Sequence, residues 1–262
     1  VNVGIARGVL VPILLALASA SAGASGARPP VALTASPAHL ELAGTGRATV
    51  RVTNSGTNPV VLDVRRAGFA LDLRGRPKIV GEHDVRRTAA AWLGFRPRTL
   101  SLKPGATGSV SIASTVPARA EPGDHDALVL FTTRRRVTDG LAVRVRMGVV
   151  VVVRAPGAVV HRIELRALRV APRGRARVLD LVVANRGNVT ESVGRARGTI
   201  SLFRGGRRLA RLAGEPREFR PGTKGLVQFR YRGPAQGLVT AQVELTPESG
   251  GRVLRRAFRV RL

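Results

Sequence analysis

From Leu141 to Arg154 the chain alternates with a period of two, so that Leu141, Val143, Val145, Met147, Val149, Val151 and Val153 share one face. Side chains point alternately to the two sides of a strand, and only an extended chain gathers these residues together. The opposite face opens with Ala142, Arg144 and Arg146 and is apolar at Val150 and Val152. Burying such a row is worth on the order of 10–20 kcal/mol gross, before chain entropy is subtracted. The pattern predicts one long strand that spans a domain and leads out of it. Ala155-Pro156-Gly157 follows at once and reads as a short interdomain hinge.

The same period runs through the preceding residues. Val31–Thr34 begins a strand that Pro37 interrupts and Leu40 and Leu42 resume, the mark of an edge strand broken at a proline. Arg47–Thr53 alternates, Asn54-Ser55-Gly56 turns the chain, and Val60–Val64 runs back. Further strands are expected at Thr99–Leu102, at Ser109–Val116 after the Lys103-Pro104-Gly105 turn, and at Ala127–Thr133 after Glu121-Pro122-Gly123-Asp124. The best helical stretch is Arg86–Leu93, where Thr88-Ala89-Ala90-Ala91 has room for one or two turns.

The second half repeats the plan. Val178–Ala184 and Asn185-Arg186-Gly187 correspond to the Val50 strand and its Asn54-Ser55-Gly56 turn. Arg220-Pro221-Gly222-Thr223-Lys224-Gly225-Leu226-Val227 matches Lys103-Pro104-Gly105-Ala106-Thr107-Gly108-Ser109-Val110 in frame. Thr199–Phe203 and Leu209–Leu212 flank Arg204-Gly205-Gly206-Arg207-Arg208, a hairpin pattern, while Gly237–Leu245 and Leu254–Leu262 supply later strands. Short strands at this spacing point to an all-β chain of two tandem immunoglobulin-like β-sandwich domains. The expected bounds are 28–154 and 158–262, with the hinge at 155–157.

Ahead of them, Arg7, the apolar run Val9–Ala18 and the small residues from Ser19 to Ala27 have the three parts of a cleavable secretory signal peptide over 1–27. The apolar run is about half the length a membrane span needs. No transmembrane helix is expected in the mature chain. With no Cys, thiol catalysis and Cys-based metal sites are excluded, and the sandwiches must hold without disulfides. Aromatics are only 3%, so the cores are expected to rest on Val, Leu and Ala.

The formal charge is +28, with only three Lys among 44 basic residues. The excess is spread over both halves, which suits either GC-rich codon usage or attraction to polyanions. For an exported protein those are teichoic acids, acidic polysaccharide or anionic lipid. Arg134-Arg135-Arg136, Arg207-Arg208 and Arg65-Arg66 are the candidate anion clasps, because adjacent guanidinium groups can hold phosphate or carboxylate bidentately; solvated loops are the alternative. Nucleic acid is disfavoured by the lack of aromatic platforms between the charges. His39, His83, His125 and His161 lack metal-ligand spacing, and Asp124-His125-Asp126 reads as a polar turn. Trp92 reads as core packing, with sugar stacking as the alternative. No G-x-S-x-G, H-E-x-x-H or phosphate-loop motif occurs, so a non-enzymatic chain without cofactors is expected.

The ordered cues are a strand ending in N-x-G, a basic-Pro-Gly-x-x-Gly-x-Val strand, Val116-Pro117, and Pro122-Gly123 before another strand, with Ala91-Trp92-Leu93 upstream. Over roughly 31–245 this set resembles the periplasmic pilus chaperones and, more closely, the WxL-interacting proteins of Gram-positive envelopes. The WxL-interacting resemblance implies a peptidoglycan-binding first domain, a partner-binding second domain and a C-terminal transmembrane helix. This chain reaches Leu262 on a strand without such a helix or an LPxTG-type sequence, so attachment through a partner or through charge is expected. The chaperone resemblance implies an edge strand that completes a partner's sheet. Leu141, Val143, Val145, Met147, Val149, Val151 and Val153 are the candidates for that pairing, and burial in the protein's own core is the competing reading. It also implies two basic anchors for a subunit carboxylate, but the first-strand region offers Pro37 and His39 and residues 149–153 are all Val.

The expectation is therefore a secreted, non-enzymatic cell-envelope protein. It would bind peptidoglycan or anionic wall polymer and present a face to another exported protein. The alternative is an extracytoplasmic assembly chaperone acting by β-strand donation.

Overall fold

The computed structural model describes residues 28–81, 87–134, 136–138, 141–194 and 197–262, with only the backbone described at 136–138 and 141–143. The expected signal over 1–27, His83 and Arg135 lie outside the described residues.

The protein is all-β, two immunoglobulin-like sandwiches in tandem. The first comprises β1 (Leu33–Ser36), β2 (His39–Ala43), β3 (Arg47–Asn54), β4 (Val60–Leu71), β5 (Pro77–Val80), β6 (Leu93–Arg96), β7 (Thr99–Leu102), β8 (Thr107–Ser114), β9 (Gly123–Thr133), β10 (Arg136–Thr138), β11 (Leu141–Val143) and β12 (Arg146–Ala155). One sheet has the order β1-β3-β8-β6; the other runs β2-β12-β9-β4-β5, with β7 also on β4. Alternation turns Val50, Val52, Val110 and Ile112 of the first sheet toward Leu62, Val129, Phe131, Val149, Val151 and Val153 of the second, and these form one core. The chain changes sheets at Pro37: β1 pairs with β3, and β2 pairs in parallel with β12. Proline has no N–H to give a ladder, so the break expected there becomes a crossing between layers.

The second sandwich comprises β13 (Ile163–Arg173), β14 (Ala176–Asn185), β15 (Glu191–Val193), β16 (Gly198–Arg204), β17 (Arg207–Ala213), β18 (Arg217–Phe219), β19 (Lys224–Tyr231), β20 (Leu238–Leu245) and β21 (Leu254–Arg261). Its sheets are β13-β14-β19 and β17-β16-β20-β21, with β15 paired to β18. Leu179, Leu181, Val227 and Phe229 of one sheet meet Ile200, Leu202, Ala241 and Leu245 of the other. Phe131, Phe219 and Phe229 are among the largest fully buried side chains, so the cores use aromatic centres as well as the aliphatic residues expected from composition.

The repeated Asn-x-Gly turn is a buried corner. Asn54 Nδ2 donates to the carbonyls of Asn58, Leu102 and Lys103, while its Oδ1 accepts from the Gly56 N–H. Asn185 does the same with Val189, Phe219 and Gly187. In each half the backbone N–H of this Asn donates into the Pro-Gly turn, to Ala106 O at 2.9 Å and Thr223 O at 2.9 Å. A buried amide that satisfies several carbonyls at once explains why the two motifs recur together.

Three expectations are corrected. The single strand Leu141–Arg154 is two, because β9 ends at Thr133 and a ladder reaches only as far as its neighbour. Val145 still exchanges hydrogen bonds with Thr133, and before it the chain folds back as the β10–β11 hairpin. The helical stretch shortens to one 3-10 turn, Ala90–Trp92. Asp124-His125-Asp126 is no turn but the beginning of β9, paired with Val152–Arg154.

Candidate functional site

The edge of β12 is the first feature that could meet a partner. β9 pairs with β12 along its whole length, from Arg146 to Ala155. β2 covers the other side only from Val150 to Arg154. The direction of each backbone group follows from the alternation of an antiparallel ladder. Val145 turns both its N–H and C=O to Thr133, each at 2.9 Å. Met147 and Val149 therefore face β9 as well, and Arg146 and Gly148 turn theirs outward. Val150 obeys the same rule, its N–H reaching outward to Ala38 O at 3.0 Å. Among the described residues no strand covers Arg146–Val149 on that side. Beside this edge, Val31, Leu33 and Met147 are half-buried against the core.

The predicted pairing residues thus divide. Val149, Val151 and Val153 are fully buried in the protein's own core and are not available to a partner. Met147 and Val145 are half-exposed. Leu141 and Val143 belong to β11, and their side chains lie outside the described residues.

The arginine groups are not brought together. Arg134 is exposed but committed to Asp63, Nε to Oδ1 at 3.0 Å. Arg136 opens β10 instead of lying in a loop, with its side chain outside the described residues. Arg65 and Arg66 are neighbours on β4 and so point to opposite faces; Arg66 Nη1 donates to Leu93 O at 3.2 Å, beside the 3-10 turn. Adjacent positions on a strand cannot clasp one anion. Arg207 and Arg208 are exposed at the start of β17, after the Gly205-Gly206 turn whose φ values of 53° and 78° require glycine.

Sequence reasoning missed the joint between the sandwiches. Asp124, on the outer face of β9, takes both Arg154 Nε at 2.7 Å and Arg154 Nη2 at 3.1 Å. Its Oδ2 also accepts the Thr190 N–H of the second sandwich at 2.7 Å. Burial pushes this carboxyl up, but the Arg154 and Thr190 bonds outweigh it and hold the group below its ordinary range. Asp126 pairs with Arg220, whose guanidinium also reaches Glu218 at 3.3 Å and lies 5.0 Å from the Phe69 ring centroid. Burial pushes Asp126 up to about 6, against the attraction of Arg220. Arg217 Nη1 donates to Arg74 O at 2.7 Å, and the Leu226 N–H donates to Leu73 O at 2.8 Å. The turn after β4 is thereby fastened to the second sandwich. The charged side chains come from positions far apart in sequence, which spacing alone cannot bring together.

His125 lies against Trp92 with ring centroids 4.3 Å apart, consistent with the packing role expected for Trp92. His161 Nδ1 and Ser249 Oγ both lie 2.5 Å from the buried Glu191 carboxylate. Both bond the carboxylate, so no base is set against a nucleophile there. Among the described residues no His, Asp and Glu group could hold a metal ion, and no helix is long and apolar enough to cross a membrane.

No protein-family model and no curated protein matches the chain. Solved structures do. A chain of the chaperone–tip adhesin complex of CFA/I fimbriae biogenesis aligns at TM-score 0.48 and 12% identity, over 86% of this chain and 98% of its own. The periplasmic chaperone SfaE aligns at 0.45 and 12%, over 88% and 98%. The CupB2 chaperone of Pseudomonas aeruginosa aligns at 0.43 and 14%, over 87% and 100%.

Proposed function

We propose that the protein is an extracytoplasmic assembly protein that completes the sheet of another exported protein by β-strand addition. The observation that carries this is the outer edge of Arg146–Val149, which no strand covers among the described residues, with outward backbone groups at Arg146 and Gly148 and half-buried apolar side chains beside it. Main-chain hydrogen bonds would supply affinity, and Met147 and Val145 the side-chain contacts. The wall-polymer reading stands second, because the arginine groups that suggested it lie on separate elements.

A photo-crosslinking residue at Arg144 tests the reading in the cell envelope. Crosslinks to one exported protein are expected, lost on Gly148→Pro, which removes an outward N–H, and kept on Gly148→Ala. A Cβ at that glycine would meet only the Leu128 and Leu130 side chains at 3.5 Å. Arg146→Pro, at the first residue of its strand where proline is tolerated, repeats the test independently. Crosslinks unaffected by either proline in a folded protein would overturn the proposal.

A further inference from the structure

The outer face of the β13-β14-β19 sheet carries a cleft of about 660 Å³ lined by Arg173, Arg175, Ala176, Val178, Arg230 and Arg232. Its construction follows from strand register. Leu179 and Leu181 of β14 and Phe229 and Tyr231 of β19 face the core, so Ala176, Val178, Arg230 and Arg232 face outward. Arg173 is registered opposite Ala176 on one side, and Arg230 opposite Val178 on the other. The result is a small apolar floor on the central strand, flanked by Arg173 on β13 and Arg230 on β19, with Arg175 in the β13–β14 turn and Arg232 just past β19. Val178 is only 6% exposed despite facing outward, as expected where arginine stems lie over it.

Charge compensation singles this cleft out from the general arginine excess. At the opposite end of the same sheet, Glu164 is shared by Arg162, Arg166 and Arg186 at 3.2, 3.3 and 3.7 Å. In the cleft the nearest approach is Arg230 to Glu215 at 4.0 Å. Arg173, Arg175 and Arg232 have no acidic partner among the described residues. Four arginines thus line one cleft with a single acidic neighbour at its margin among the described residues, and each offers a planar fork that matches phosphate.

We infer that this cleft binds a linear phosphodiester polymer, laid along the Ala176–Val178 floor between the two arginine walls. The walls stand about two strand spacings apart, roughly 10 Å, which admits a single extended polymer and not the face of a folded protein. A phosphodiester carries its charge within the polymer backbone, so a chain on the floor presents anionic oxygens to both walls. A carboxylate hung from a sugar faces one wall only. A membrane surface fits less well, because the exposed large apolar residues Leu73, Ile79, Val159, Val160, Leu238 and Val253 are all outside the cleft. The inference is independent of the strand-adding reading, which concerns the other sandwich.

The test titrates the full chain with poly(glycerol phosphate), with polygalacturonate, and with phosphatidylglycerol vesicles, all at physiological salt. One variant replaces Arg173, Arg175, Arg230 and Arg232 with Gln. A charge-matched control replaces Arg207, Arg208, Arg259 and Arg261 with Gln. Both should keep the parent melting temperature, and Arg232→Glu alone, just beyond the strand, serves as a milder version. Poly(glycerol phosphate) affinity should fall about tenfold or more in the cleft variant and less than about twofold in the control. Equal losses in both would mean that net charge alone acts, and would overturn the site. Polygalacturonate or vesicles binding as tightly as the phosphodiester would overturn the assigned ligand.

Discussion

Arg154→Met is the sharpest probe of the joint between the sandwiches. The substitution keeps the aliphatic stem and deletes the guanidinium that holds Asp124. The Asp124 side chain is 1% exposed, whereas that of Arg154 is 50% exposed. Removing one partner of a buried pair typically costs about 3–5 kcal/mol, because the remaining charge stays desolvated. Half-exposure of Arg154 weakens its share, and the Thr190 N–H remains, so the lower end applies, about 3 kcal/mol. For two domains of this total size that corresponds to a melting temperature lower by about 6–12 °C. The pH dependence gives the prediction its sign. In the parent, Asp124 is held below its unfolded value, so its contribution is present above that value and is lost as pH falls through the folded one. Without Arg154, burial dominates and raises the carboxyl, so the variant is most impaired near neutral pH and recovers as the group is protonated. Calorimetry of parent and variant near neutrality and near pH ~4 measures this difference. Arg154→Met/Asp124→Asn should recover most of the loss, since both charges are then gone. A deficit that is the same at both pH values, or smaller than about 1 kcal/mol, would refute the reasoning.

The neighbouring carboxyl behaves in the opposite sense. Asp126 binds its proton more tightly in the folded state, with a value of about 6 against 3.8, so unfolding free energy should fall as pH rises across that window. The change is up to about 3 kcal/mol, and Asp126→Asn should flatten it in denaturant titrations at stepped pH; a slope that survives the substitution would exclude Asp126 as its source. Gly123 has φ of 102°, and a Cβ there would collide with the Asn188 carbonyl. Gly123→Ala should therefore loosen the joint and speed limited proteolysis between 156 and 162; unchanged cleavage would show that the joint does not depend on this approach. Phe229→Ala should cost about 3–5 kcal/mol in urea unfolding, the penalty for an aromatic cavity in a closed core.

The sequence made the strands legible where both faces kept a clean alternation. Arg47–Thr53 lies within β3, Thr99–Leu102 coincides with β7, and the Gly205-Gly206 hairpin sits where the pattern put it. β13 was not legible, because a bulge between Leu165 and Ala167 shifts the apolar positions from Ile163 and Leu165 to Leu168 and Val170 and so breaks the period. Asp124-His125-Asp126 misled for a different reason: charged residues beside Pro-Gly have the composition of a turn, and the partners that let them be buried in a strand, Arg154 across the sheet and Thr190 and Arg220 of the second sandwich, are distant in sequence. The β12 alternation was read correctly as a strand, but periodicity cannot say where its neighbours stop. That limit, set by β9 at one end and β2 at the other, separates the buried valines from the open edge. The cleft arginines were invisible as a group, since Arg173 and Arg230 meet only through the strand between them.

The two Asn corners differ at one position in a way that ties one half to the other. Where the first Pro-Gly turn begins with exposed Lys103, the second begins with Arg220, whose side chain is 7% exposed and bound to Asp126. The N-terminal half can thus finish its corner alone, with a lysine that water satisfies. The C-terminal half makes the same Asn185 bonds within itself, yet its Arg220 finds the Asp126 counter-charge only on the N-terminal half, and until then the guanidinium must remain hydrated. A chain emerging N-terminus first has that aspartate in place before the arginine that needs it is made.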